Sequence, residues 1–209
     1  MTEASSCQLY LISPLDVGGD FPVLLQEALG AGPVAAFQFR VKDIGLDEAA
    51  ALAEPLKAIC DAHDVAFIVN DDVALAKRLL ADGVHLGQTD EQLEDARAEL
   101  GDEVQIGITC HDSRHLAMEA GEGGANYVAF GAFFPTQTKE TSHRPEVDVL
   151  QWWSTIMEIP SVAIGGITPE NCQPLIDAGA DFLAVSGAVW NDPDGPAHAV
   201  KRFIEIFEN

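Results

Sequence analysis

The chain has 209 residues, the length of one large domain rather than two, and 47% of them are hydrophobic, enough for a substantial core. Eleven Lys and Arg stand against 34 Asp and Glu, giving a net charge of −23 with histidine neutral. Nucleic acid and anionic membrane surfaces would repel so acidic a chain, which excludes both as expected partners.

Eight short apolar runs are spaced along the chain, at residues 8–13, 35–40, 66–70, 83–86, 105–109, 127–131, 161–165 and 182–186. Several are apolar without strict alternation, as in strands covered on both faces. Helical patterns lie between them. Ala49, Leu52, Ala53, Leu56, Ile59 and Cys60 share one face, as do Val200, Phe203, Ile204 and Phe207. Thr168-Pro169 pairs an N-cap residue with proline at a first helical position, and predicts a helix starting there. An internal echo marks the same layout: Ala81-Asp82-Gly83, Ala125-Asn126-Tyr127 and Ala180-Asp181-Phe182 each lead from a helix into an apolar strand closed by glycine. Strand–helix alternation repeated eight times predicts a single (β/α)8 barrel domain over residues 1–209, with an open doubly wound sheet as the alternative. The longest loop, 133–147, is long enough to suggest a lid over a site.

The four cysteines (Cys7, Cys60, Cys110, Cys172) are scattered without a C-x-x-C pair. They read as small buried apolar residues in a reducing compartment. The N-terminus has no basic leader and no run approaches the ~18 apolar residues of a membrane span, so a cytoplasmic location is expected. A homo-oligomer is compatible with everything above.

In a barrel, reactive groups cluster where the strands end. The second run ends Gln38-Phe39-Arg40-Val41-Lys42, and alternation sends Gln38, Arg40 and Lys42 to one face. They read either as a solvated strand end with an ion pair or as an anion clamp. The third ends Asn70-Asp71-Asp72 and the fourth runs into Gly87-Gln88-Thr89-Asp90. Asp71 and Asp90 read as turn caps, or as carboxylates converging on a hard cation such as Mg²⁺. The fifth ends Thr109-Cys110-His111, where His111 is a hydrogen-bonded rim residue or a catalyst, and His85 of the fourth is a second rim candidate. The sixth leads to Thr136-Gln137-Thr138-Lys139, whose hydroxyls and cation suit phosphate or a polar ring. The seventh ends Gly165-Gly166-Ile167 and the eighth Ser186-Gly187, the position where barrels often hold a phosphate.

Taken together, Gln38-x-Arg40-x-Lys42, Asn70-Asp71, the stretch 83–90, Gly107 to His111, Thr136 to Lys139 and Gly165-Gly166-Ile167 resemble the thiamine phosphate synthase family over nearly the whole chain. The resemblance implies a (β/α)8 transferase joining a hydroxymethylpyrimidine diphosphate to a thiazole phosphate, with release of pyrophosphate. It implies small phosphorylated substrates as partners and Mg²⁺ as cofactor. Gln38, Arg40, Lys42, Asn70, Thr109 and Lys139 would bind the pyrimidine diphosphate. Thr136, Thr138, Gly166, Ser186 and Gly187 would bind the thiazole phosphate, and Asp71 and Asp90 the metal. Three positions depart from the family pattern: Thr109 for Ser, Gly187 for a frequent Ser, and Asp72 for a common Arg. Other readings are a thiazole tautomerase, needing proton transfer but no metal or pyrophosphate clamp, and a regulatory barrel binding thiazole phosphate. Retention of Arg40, Lys42, Asp71 and Asp90 favours the synthase.

Overall fold

The computed structural model describes residues 7–136 and 143–208. Eight parallel strands pair in chain order: β1 (Gln8–Ile12), β2 (Ala36–Phe39), β3 (Ala66–Asn70), β4 (Gly83–Leu86), β5 (Gln105–His111), β6 (Tyr127–Gly131), β7 (Ser161–Ile164) and β8 (Phe182–Val185). Pairing of Leu9 with Leu183 and of Tyr10 with Ala184 closes β8 onto β1, so the sheet has no edge. This is the (β/α)8 barrel, not the open sheet. Around it run α1 (Phe21–Leu29), α2 (Leu46–Ala62), α3 (Val73–Leu79), α4 (Leu93–Leu100), α5 (Arg114–Glu122), α6 (Asp148–Ile156), α7 (Gln173–Asp177), α8 (Gly187–Trp190) and α9 (Pro196–Phe207). None of them is long and apolar enough to cross a membrane.

Two cores follow from the strand period of two. Leu9, Leu11, Phe37, Phe39, Phe67 and Val69 face outward into the layer between strands and helices. Ala49, Ala53, Leu56 and Cys60 of α2 and Val200 and Phe203 of α9 complete that layer, with Leu52, Ile59, Ile204 and Phe207 at its margin. Tyr10, Ile12, Ala36, Ile68, Tyr127, Ala129, Val162 and Ala184 point to the barrel axis. Gly107 makes room there, because a Cβ on it would lie 1.9 Å from the Tyr127 ring.

The echoed turns have a defined job. Asp82, Asn126 and Asp181 accept hydrogen bonds from the N–H groups of Phe67, Ile106 and Ser161 at 2.7, 2.8 and 2.8 Å. Each thereby ties the start of its own strand to the start of the preceding one, at the end of the barrel opposite the βα loops. The helix expected from Thr168-Pro169 starts later, at Gln173. Asn171 intervenes: its Oδ1 accepts from Thr168 N–H at 2.8 Å and its Nδ2 donates to Gly166 carbonyl at 2.9 Å. The segment is thereby held as a turn beneath Gly166, and Pro174 opens the helix instead.

Candidate active site

A cavity of about 400 Å³ opens at the carboxyl ends of the strands, within the usual range for small-ligand sites. Its wall contains Gln38, Arg40, Lys42, Asn70, Asp71, His85, Thr109, His111, Thr136, Gly166, Ser186 and Gly187. Residues expected from separate strand ends are therefore brought to one chamber. Thr138 and Lys139 lie outside the described residues, as does the middle of the loop expected to act as a lid.

The cationic side is built by β2 and β1. Alternation carries Gln38, Arg40 and Lys42 into the cavity, while Phe39 turns into the outer core. Ser13, fully buried, accepts from Arg40 N–H at 2.9 Å and donates to Arg40 carbonyl at 3.2 Å, fixing the backbone from which that guanidinium projects. Arg40 Nη1 is the one buried side-chain polar atom without a hydrogen-bond partner among the described residues. Such a group is costly unless a ligand satisfies it, and a phosphate oxygen suits it. Burial pulls the Arg40 pKa down and neighbouring Asp71 pushes it up, which leaves the residue a cation at neutral pH. Lys42 Nζ lies 3.9 Å from Asp71 Oδ2, with the two side chains 45% and 36% exposed. A pair this open is screened and weak, so an entering anion loses little by displacing it.

Asp71 follows β3 with φ of 66°, a left-handed backbone that Asp tolerates, and its N–H donates to His85 carbonyl at 2.8 Å. Asp90 stands back from the wall. One of its oxygens accepts from Gly87 N–H at 2.7 Å, and Gly87 itself lines the chamber. Asp72 spends its carboxylate on Leu75 N–H at 2.8 Å as the N-cap of α3, so its substitution for Arg leaves a cap rather than another acid in the cavity. Asp71, on the cavity wall, and the second oxygen of Asp90, behind Gly87, are hard oxygen donors of the kind that could hold Mg²⁺. A separate group, Asp192, Asp194 and His198, spans the turn before α9 and that helix's first turn; the Asp192 carboxylate accepts from Asp194 N–H and closes the turn.

Across the chamber, Gly166 has φ of 62°, and a Cβ there would meet Pro135 carbonyl at 2.3 Å. Only glycine lets the strand end and the β6 loop approach this closely. Gly187 is different: a Cβ would meet nothing nearer than Asn191 Nδ2 at 3.4 Å, so a family-type Ser would fit. Trp190 holds α8 in place by donating from Nε1 to Ile12 carbonyl at 2.6 Å.

His85 lines the chamber from its floor inside the barrel, deeper than a residue at the mouth. It is 7% exposed and sits inside the barrel, stacked on Tyr127, with Nδ1 at 3.1 Å from Tyr127 Oη and Nε2 at 2.8 Å from Thr109 Oγ1. Tyr127 Oη lies 3.0 Å from Tyr10 Oη, which accepts from Gln38 Nε2 at 3.0 Å. Burial raises the Tyr10 hydroxyl to about 12 and pushes that of Tyr127 well above its ordinary value, so both keep their protons. The two tyrosines escaped the sequence reading, although their inward parity beside Ile12 and Ala129 was a usable signal. His111 does line the mouth. A register shift between Thr109 and His111 and a φ of 56° let both residues face the cavity with Cys110 buried behind them. His143, beyond the undescribed loop residues, stacks on His111 at 4.4 Å and bonds Asp112 at 2.9 Å.

Comparison with known proteins places these features in context. The family described as thiamine monophosphate synthase matches residues 9–189. A thiamine-phosphate synthase of Erythrobacter litoralis is 66% identical over 202 residues, covering 95% of this chain and 94% of that one. The enzyme of the same name from Rhodospirillum centenum is 52% identical over 97% and 98% of the two chains. Among solved structures, thiamine phosphate pyrophosphorylase from Pyrococcus furiosus superposes with a TM-score of 0.86 at 30% identity, covering 98% of this chain and 97% of that one.

Proposed function

The chain belongs to the thiamine monophosphate synthase family, and on that premise we propose how its cavity performs the synthase reaction. The protein is a transferase that makes thiamine phosphate. The substrates are 4-amino-2-methyl-5-hydroxymethylpyrimidine diphosphate and 4-methyl-5-(2-phosphoethyl)thiazole, and the products are thiamine phosphate and pyrophosphate. The observation that carries this reading is the shared chamber, with Gln38, Arg40, Lys42, Asn70 and Thr109 on one side and Thr136, Gly166, Ser186 and Gly187 on the other.

Rupture of the C–O bond to pyrophosphate builds negative charge on the leaving group and positive charge on the exocyclic carbon. Arg40, with Nη1 unsatisfied, and Lys42 stabilise the first charge. The pyrimidine amino group delocalises the second, so the protein needs no nucleophile of its own. Asp71 and Asp90 would hold Mg²⁺, which when bound neutralises part of the pyrophosphate charge. Gly166, Ser186 and Gly187 anchor the thiazole phosphate and so hold the ring nitrogen near the carbon it attacks. Thr138 and Lys139 are proposed to complete the two anion sites from the loop.

The test is pyrophosphate release from the purified protein given both substrates, with Mg²⁺ and with EDTA. Release that needs both substrates and the metal is expected, and Asp71→Asn should then lower kcat/KM by about 10²-fold or more. Absence of release while thiazole phosphate still binds would overturn the synthase reading in favour of a tautomerase or a regulatory barrel.

A further inference from the structure

The carboxyl end of β1 stands between the two sides of the chamber, because in the closed barrel β1 pairs with β2 on one edge and with β8 on the other. The last register pairs are Ile12 with Gln38 and Leu11 with Val185. Just beyond them, side chains take over from the backbone ladders on both edges. Toward β2, the fully buried Ser13 hydroxyl accepts from Arg40 N–H at 2.9 Å. Its single hydrogen lies between the carbonyls of Pro14 and Arg40, at 2.9 and 3.2 Å. Toward β8, the Ile12 carbonyl accepts a short bond of 2.6 Å from Trp190 Nε1. The direction of both links is fixed, since a backbone N–H and an indole N–H only donate and a carbonyl only accepts.

Each link bears on a different anion. Arg40 carries the unsatisfied Nη1, and Ser13 holds the backbone from which that side chain starts. Trp190 ends α8, a single turn of four residues that is too short to hold its own shape. Its ring packs edge-on against Phe21 at 4.9 Å and Phe37 at 6.4 Å, in the layer outside the strands. At the other end of the same turn, Ser186, Gly187 and Ala188 line the cavity. The indole therefore anchors that part of the wall.

We propose that the end of β1 is the common reference that fixes the distance between the two anion sites, with Ser13 positioning Arg40 and Trp190 positioning α8. This deepens the synthase reading and rests on it for the identity of the two ligands. The reaction is attack by one anchored substrate on the other, so the separation of the anchors matters: a misplacement of about 1 Å can cost 10²-fold in rate. Ser13 and Trp190 are positioning residues, because Ser13 is sealed from solvent and Trp190 directs its N–H to the Ile12 carbonyl.

Calorimetry with Mg²⁺ and each substrate given alone, so that no turnover occurs, reads the two sites apart. Trp190→Phe keeps a ring against Phe21 and removes the N–H. It should weaken thiazole phosphate binding about tenfold and leave pyrimidine diphosphate binding within about twofold. Ser13→Ala should do the reverse. General loosening of the fold would not give this crossed pattern, since it would weaken both ligands together. With both substrates saturating, kcat should fall about tenfold in each variant, because the distance between the substrates has changed. Equal weakening of both ligands by either variant, unchanged binding of both, or an unchanged kcat would overturn the proposal and leave the synthase reading standing. Binding of neither ligand to the wild type, with no pyrophosphate release, would instead sink the synthase reading beneath it. A measurement on the wild type needs no substitution, so a variant that does not fold still leaves the proposal open to refutation. Followed by nitrogen-15 NMR in D₂O, the Trp190 indole proton should exchange about tenfold more slowly once thiazole phosphate is bound, as α8 is held more firmly, and at an unchanged rate with pyrimidine diphosphate. The same rate with and without thiazole phosphate would overturn the anchoring of α8 through Ile12.

Discussion

At the scale of single residues, the two glycines proposed to hold the thiazole phosphate behave differently, and sequence motifs alone do not separate them. Gly166 combines positive φ with a carbonyl 2.3 Å from where a Cβ would stand, whereas Gly187 has free space to 3.4 Å. Gly166→Ala should therefore raise KM for the thiazole phosphate tenfold or more and lower stability by about 1–3 kcal/mol, because the backbone must leave the left-handed region or push Pro135 away. Gly187→Ser should leave both within about twofold. Paired steady-state kinetics and thermal melts check this; equal damage from the two substitutions would show that phosphate contact, not backbone space, governs the site. Arg40, Lys42 and Gln38 were legible from their shared parity on one strand. Tyr10 and Tyr127 were missed because each is a lone polar tip in an apolar run and the two meet across the barrel, and Ser13 because its partner is the Arg40 backbone beyond the neighbouring strand.

At the scale of the elements, the repeated small-residue-plus-Asp/Asn turn tells where a strand begins, and the structure adds what the side chain does. Asp181 accepts from Ser161 N–H at 2.8 Å and Asp82 from Phe67 N–H at 2.7 Å. Removing either carboxylate leaves a strand N–H without its partner, at a cost of about 1–3 kcal/mol. Asp181→Ala and Asp82→Ala should each lower Tm, by about 2–4 °C per kcal/mol for a domain of this size. Both KM values should stay unchanged, because these turns lie at the opposite end of the strands from the cavity. Thermal melts read beside kinetics decide it, and a KM change as large as that of an active-site variant would refute the division of labour. Strand positions were readable from apolar runs and the α2 and α9 faces from 3.6-residue periodicity. The start of α7 was misplaced, because the Asn171 side chain, reaching back to Gly166, holds Thr168-Pro169 as a turn.

At the scale of the whole molecule, burial and charge set the response to pH and salt. Cys7, Cys60 and Cys110 are buried, and burial lifts each thiol from an ordinary 9.0 to about 12. The folded thiols thus stay protonated where unfolded ones ionise, so stability should fall as pH rises from 9 toward 12, by up to about 1.4 kcal/mol per pH unit for each thiol. Equilibrium denaturation across that window checks the slope. A thiol reagent at pH 8 should react with these three only after unfolding. The charge of −23 stands opposed to two anionic substrates, yet exposed carboxylates beyond about 8 Å are screened at physiological salt, while Arg40 and Lys42 act from within the cavity wall. Raising salt from about 50 to about 500 mM at constant free Mg²⁺ should therefore change either KM less than about threefold; a tenfold rise would show that long-range steering dominates. The sequence by itself determined the eightfold strand–helix repeat, the strand positions, the acidic charge and the residues that face the cavity at the ends of β2, β3 and β5, because these follow from periodicity and from local chemistry at strand ends, while closure into a barrel rather than an open sheet was decided by the pairing of β8 with β1. Only the tertiary structure decided that Asp90 and Asp72 hold turns, that His85 lies inside rather than at the rim, and that two tyrosines join Gln38 to Thr109. Those facts depend on which side chains meet across a closed barrel, and residues as far apart as Tyr10 and Tyr127 meet only once β8 has paired with β1.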